Sequence, residues 1–200
     1  MAPIRLFQPT ADGLKRLWEQ FDKHRAHFPD ELPREPIDFV CWLAAEDVRV
    51  VEIGPAEAPV GVYVFTGIVP GVSAWAHPFV WDRDAYPPAD LIAAARQACL
   101  ALFQAFGLRR INGLTPTTHP HARIFAERVG FRVEGTLRAA CVVKDAPVNA
   151  WISGLIPSDL APAATMGSAT HGAVGAGTAP SPASRPGKAG STPDAATSER

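Results

Sequence analysis

Residues 119–138, HPHARIFAERVGFRVEGTLR, constrain this chain more than any other stretch. Ala122, Phe125, Ala126 and Val129 recur at spacings of three and four, which gives a helix one apolar face. Thr118 can cap its start, and Pro120 is tolerated in a first turn. Gly130 stands where a helix needs a left-handed residue just past its end. Phe131 and Val133 then open a period-two pattern, so the helix turns directly into a strand.

The surrounding chain alternates in the same way. A short strand is expected over residues 3–9, and Thr10 can cap a helix to about residue 27 with Leu14, Leu17, Trp18, Phe21 and Arg25 along one side. A proline-rich, charged loop over 28–36 precedes a second short helix at 37–46. Runs at 48–53 and 60–69 are rich in β-branched residues and separated by Gly54-Pro55. Pro70-Gly71 marks the next turn, before a strand at 72–81. The longest helix is predicted over 88–106, with Leu91, Ile92, Ala95, Cys99, Leu102, Phe103 and Phe106 on one side and Gly107 as its stop. Strands at 108–114 and 148–155 complete the pattern around the opening motif. Strands clustered first, then alternating with helices, argue for an α/β (α+β) sheet with helices on its faces.

Composition bounds the function. The chain has 200 residues, a charged fraction of 20% and a net charge of −1, without the basic stripe of a nucleic-acid partner. No run of eighteen apolar residues exists, so no membrane span is expected. The segment MAPIRLFQPT lacks the charged-then-apolar order of a signal peptide. Cys41, Cys99 and Cys141 are odd in number, widely spaced and set among apolar neighbours. They read as small core hydrophobes in a reducing, cytoplasmic compartment. After residue 160 the chain is dominated by Ala, Gly, Pro, Ser and Thr. Such a segment buries too little surface to offset its ordering entropy, so residues 1–160 are expected to fold and 161–200 to form a disordered tail.

The opening motif resembles the last helix and following strand of the GNAT acyltransferases, particularly the branch that acylates protein termini. The matching residues are Ala122, Glu127, Arg128, Gly130, Phe131, Glu134, Gly135 and Arg138. The element order βααβββαβαββ is also that of the family. The resemblance implies a central, mixed, mostly antiparallel twisted sheet, splayed between strands 4 and 5 and flanked by helices. It implies acetyl-CoA, or another acyl-CoA, as co-substrate without a metal, and an amine-bearing acceptor. It leaves the oligomeric state open.

In that family the loop before the long helix holds the coenzyme A pyrophosphate on helix N-terminal amides, a general use of the helix dipole. Arg83 matches the first position of its pattern, but Tyr86 and Pro88 replace both glycines. Pro87 and Pro88 have no N–H, and Asp82, Asp84 and Asp90 repel phosphate. The expected donors are Arg83 and the amides of Ala85, Tyr86, Ala89, Asp90 and Leu91, with Arg96 as a further cation or a surface charge. By position the resemblance assigns Phe79, Val80 and Trp81 to backbone contacts with the pantetheine arm, and Phe125 to the cofactor side. Pro78 within that strand suits a bulge or an edge.

Many relatives carry a tyrosine acid on the last helix, and an asparagine often begins it. Here those positions hold Ala126 and His119. His119, with His121 nearby, is either a base or a loop residue. His77 is either a base facing the site or a satisfied histidine beside the sheet. Glu134 and Arg138 are expected to pair structurally, and Glu46, Asp47 and Glu52 to lie nearer the acceptor side. Asp30, Glu31 and Glu35 would suit a cationic amine, and Arg34 opposes that. Two functions compete: an N-acetyltransferase, and a GNAT-shaped binding or accessory protein that has lost catalysis, since fold alone does not establish activity.

Overall fold

The computed structural model describes residues 1–25 and 32–161. The expected tail from residue 162 on lies outside the described residues, as do the end of the first helix and residues 28–31 of the charged loop. The elements run β1 (Ile4–Leu6), α1 (Ala11–Lys23), α2 (Pro36–Leu43), β2 (Arg49–Ile53), β3 (Gly61–Val69), β4 (Ser73–Val80), α3 (Pro88–Phe106), β5 (Arg110–Pro116), α4 (Pro120–Val129), β6 (Arg132–Val143), β7 (Ala146–Leu155) and a short α5 (Pro157–Leu160). The seven strands form one sheet in the order β1-β2-β3-β4-β5-β7-β6.

Every pairing is antiparallel except β4 with β5. That parallel pair needs a long crossover, which α3 supplies. The two strands pair only from Ser73 with Arg110 to Trp75 with Asn112. Beyond that point β4 and β5 diverge, and Asn112 Nδ2 donates to the Ala74 carbonyl at 3.2 Å in the crotch of the fork. Pro78 lies on the open side of the fork. The β3–β4 register runs unbroken past it and shifts only between Thr66 and Val69. The proline therefore marks an open edge, and not a bulge.

Helices cover both faces. On one, α3 packs Leu91, Ala95, Cys99, Leu102 and Phe103 against Tyr63, Phe65, Ala76 and Ile111, with Val129 of α4 and Phe131 completing the cluster. Among the described residues α3 is the one helix long and apolar enough to cross a membrane, and here it lies against the sheet. On the other face, Leu17 and Phe21 of α1 and Phe39 and Leu43 of α2 pack on Val50, Val62, Val64 and Phe79. Each such side chain contributes about 1.5–3 kcal/mol on burial.

Local signals explain most boundaries. Thr10 caps α1 by accepting from the Gly13 amide at 3.2 Å. Gly107 takes φ 61° at the end of α3. Gly130, at φ 125°, ends α4 with its own N–H on Glu127 and the Phe131 N–H on Ala126, the Schellman pattern. Thr118 does not cap α4. His119 occupies the cap without a side-chain bond to the helix, and the Thr118 hydroxyl lies 3.1 Å from His119 Nδ1. Arg96 is no phosphate ligand: it donates to the carbonyls of Val129 at 2.8 Å and Leu160 at 3.0 Å, tying α3 to the ends of α4 and α5. Cys99 and Cys141 are buried, but Cys41 is exposed on α2.

Glu52, expected nearer the acceptor side, has a structural role instead, and Glu134 has the structural role expected of it, with Arg110 as its partner. Glu52 is buried and pairs with Arg5 of β1 at 2.5 Å and Arg16 of α1 at 2.9 Å, clamping the helix to the sheet edge. Glu134 sits at a register shift in β6 and forms a two-pronged pair with Arg110 across β7. That pair holds the Glu134 carboxyl below its ordinary range and raises the Arg110 guanidinium above its own.

Candidate active site

The fork between β4 and β5 opens into a cavity of about 430 Å³, within the range of small-molecule sites. Its lining comes from both faces of the sheet. Ala76 and Val80 of β4, Ala122, Phe125 and Ala126 of α4, and Phe131 form one wall. Leu32, Pro33, Trp42, Thr66, His77 and Phe79 form the other. The separation follows from strand alternation, since Tyr63, Phe65 and Ala76 belong to the α3-side core and Val62, Val64 and Phe79 to the α1/α2-side core.

Strand register decides which backbone groups face the fork. The Trp81 amide donates to the Val60 carbonyl at 3.1 Å, so Trp81 points its backbone toward β3. Alternation gives Phe79 and His77 the same direction, and turns Val80, Pro78 and Ala76 toward the open fork. Of the three backbone positions expected to meet a pantetheine arm, only Val80 presents its N–H and C=O there. Trp81 is engaged twice, because its indole Nε1 also donates to Pro59 at 2.9 Å. Phe79 contributes its ring, 4.7 Å centroid to centroid from Phe21.

The loop before α3 is largely committed to itself. The Ala85 amide donates to Asp82 Oδ1 at 3.1 Å. The amides of Asp90 and Leu91 donate to the Pro87 carbonyl at 2.9 and 3.3 Å. The Asp90 carboxylate lies 3.3 Å from the Met1 amine. These contacts remove three of the expected anion donors and leave the amides of Tyr86 and Ala89, while the Tyr86 ring packs on the core. Ala85, Tyr86, Ala89 and Asp90 do not line the cavity, whereas Arg83 does. Across from it stand His119 and His121 of the α4 start, their ring centroids 5.8 Å apart. Burial, then His121 and Arg83, push the His119 imidazole below 6.5.

His77 is the polar centre of the opposite wall. Its Nε2 lies 2.9 Å from the Thr66 hydroxyl. Burial lowers its pKa from 6.5, so the ring is neutral at pH 7 and can accept a proton. Ser153 is the buried hydroxyl of the fork, 3.4 Å from the Gly113 carbonyl. A Cβ at Gly113 would come 2.9 Å from that hydroxyl, so glycine there leaves it room. Tyr63 also lines the cavity, and burial followed by Cys99 keeps its phenol protonated. The Cys99 thiol is pushed up to about 12 by burial, which rules it out as a nucleophile.

The fork thus gathers His77, Phe79, Val80, Arg83, His119 and Phe125 of the residues read from sequence. Sequence reasoning missed Trp42, Tyr63, Thr66 and Ser153. The Thr66–His77 contact was the one within reach, because the turn at Pro70-Gly71 sets the β3–β4 register.

No protein-family model matches the chain. No curated protein matches it either. Solved structures do. A probable acetyltransferase of the GNAT family from Chromobacterium violaceum superposes with a TM-score of 0.62 at 19% identity, over 79% of this chain and 84% of that one. Spermidine N-acetyltransferase from Vibrio cholerae, in complex with CoA and spermine, superposes with a TM-score of 0.67 at 15% identity, over 80% of this chain and 97% of that one. The architecture is therefore the GNAT fold, with its mostly antiparallel sheet and one parallel pair at the fork.

Proposed function

We propose that this chain is an N-acetyltransferase that moves an acetyl group from acetyl-CoA to a primary amine. The observation that carries the reading is the cavity through the fork, with an unpaired strand edge on one wall and a neutral histidine on the other. The N–H and C=O of Val80, turned toward the open fork, suit the amide groups of a pantetheine arm. Arg83 and the imidazole N–H groups of His119 and His121 suit its phosphates. This cross-cleft set offsets the missing glycines, and it gives His119 a binding role rather than a catalytic one.

Acetyl-CoA supplies a thioester carbonyl. Transfer forms a C–N bond, breaks the C–S bond and moves one proton from the amine nitrogen to the leaving thiolate, which departs as the free CoA thiol. In this reading His77, on the cavity wall beside Thr66, relays that proton. The fold match to GNAT acetyltransferases, one of them solved with CoA and spermine, supports this class of donor and acceptor. The ending Glu134, Gly135 and Arg138 points by resemblance to protein termini, and Glu134 pairs with Arg110.

The test is release of free thiol from acetyl-CoA in the presence of a panel of amines, with the acetylated product identified by mass. The proposal requires amine-dependent release. Tight acetyl-CoA binding with no release for any amine would favour the binding-protein reading, which draws its support from Pro87, Pro88 and the amides already engaged in that loop.

A further inference from the structure

The wall of the cavity that carries His77 is aromatic and apolar. Trp42 stands half-buried at the end of α2, with its ring 6.5 Å from Phe79 at 84° and 6.1 Å from Phe39. Leu32 and Pro33 extend that surface, and the Thr66–His77 pair is its polar end. Charge on the cavity has one sign. Arg83 is the charged side chain among the described lining residues, which include no aspartate or glutamate.

This asymmetry decides between amines. A polyamine brings two or more ammonium groups, and each must leave water or find a counter-charge. The described walls offer it Arg83 and no carboxylate. A monoamine brings one ammonium, which a tryptophan face attracts on approach and which gives up one proton to solvent before the nitrogen attacks. The body of such an amine meets Trp42, Phe79 and Leu32, where apolar area leaves water.

Resting on the acetyltransferase reading, we infer that the acceptor is a small monoamine carried on an aromatic or bulky apolar body, bound between Trp42 and His77, and not a polyamine. This separates the chain in substrate class from the Vibrio cholerae enzyme it resembles in fold.

The test uses the full chain and two readouts. In the first, 2-phenylethylamine and spermidine compete at equal concentration for acetyl-CoA, with products resolved by mass. The aromatic amine is expected to win by about tenfold or more in kcat/KM, the scale on which pockets separate apolar from mismatched substrates. In the second, calorimetry measures binding of each amine directly, so the result stands even if acetyl-CoA is never turned over. Trp42→Leu is expected to raise KM for 2-phenylethylamine with a smaller change in kcat, and Trp42→Phe to retain most of the affinity, which separates a contact role from a folding defect. Spermidine binding more tightly than 2-phenylethylamine would overturn the inference. So would a spermidine preference that disappears in Asp30→Asn or Glu31→Gln, since those carboxylates precede Leu32 in the chain. Failure of every amine in the first readout, with selective 2-phenylethylamine binding in the second, would count against catalysis and leave the acceptor class intact.

Discussion

Alanine in place of His77 should lower the rate of acetyl transfer by about 10²–10⁴-fold, the usual contribution of a positioned general base. Acetyl-CoA affinity should change little, because the groups suited to its phosphates lie around Arg83 and the start of α4. The pH profile makes the assignment specific. Burial depresses the His77 pKa below 6.5, so the base stays unprotonated through neutral pH. The acid limb of the kcat/KM profile should therefore lie below that of an ordinary imidazole, falling as the ring takes up a proton. In His77→Ala that acid limb should vanish together with the activity. An unchanged acid limb in the variant would assign it to another group and remove His77 from the chemistry. Thr66 then acts as a positioning residue. Its hydroxyl fixes the imidazole from 2.9 Å, so Thr66→Val should lower kcat and leave KM nearly unchanged.

The largest stability effect is expected far from the fork. Glu52 is buried, whereas Arg5 and Arg16 are each about one-third exposed at the side chain. Both guanidiniums take their counter-charge from that carboxylate, Arg5 also donating to the Ala56 carbonyl at 2.7 Å, and the Arg16 Nε is already buried without a partner. Glu52→Ala would leave two cations at the sheet edge with no counter-charge. Breaking a buried ion pair from one side costs about 3–5 kcal/mol, and partial access to water puts this case near 3 kcal/mol. Urea unfolding should show a lower midpoint at constant slope. A midpoint shift equivalent to less than about 1 kcal/mol would mean the clamp between α1, β1 and β2 behaves as a surface pair. Glu52→Gln keeps the shape and loses the charge, so its effect should be intermediate.

Much of the architecture was legible because the signals were local. The order of eleven main elements follows from hydrophobic period and from punctuation by Gly and Pro. The α3 limits coincide with the predicted 88–106, since Pro88 opens the helix and Gly107 closes it in the left-handed region. The β6–β7 hairpin was underestimated. Its turn places Lys144 and Asp145 at positive φ without a glycine, so nothing marked it, and β6 runs on to Val143. The site was less legible because its residues act through pairings that spacing does not reveal. Trp42 read as one apolar residue on a short helix, and only the packing of α2 on the sheet turns it toward the cavity. Arg96 read as a free cation because the carbonyls it caps are 33 and 64 residues away. Glu52 read as an acceptor-side acid because its two arginines lie 47 and 36 residues earlier.

The central claim is that the fork holds acyl-CoA, and thermal unfolding with and without acetyl-CoA tests it most directly. A ligand that binds only the native state at a hundred times its dissociation constant adds about 2.7 kcal/mol, a rise of several degrees for a domain of this size. The rise is expected in the intact protein and should shrink in Arg83→Ala, which removes an exposed guanidinium at the cavity rim and little from the core. No rise at millimolar acetyl-CoA would contradict the account.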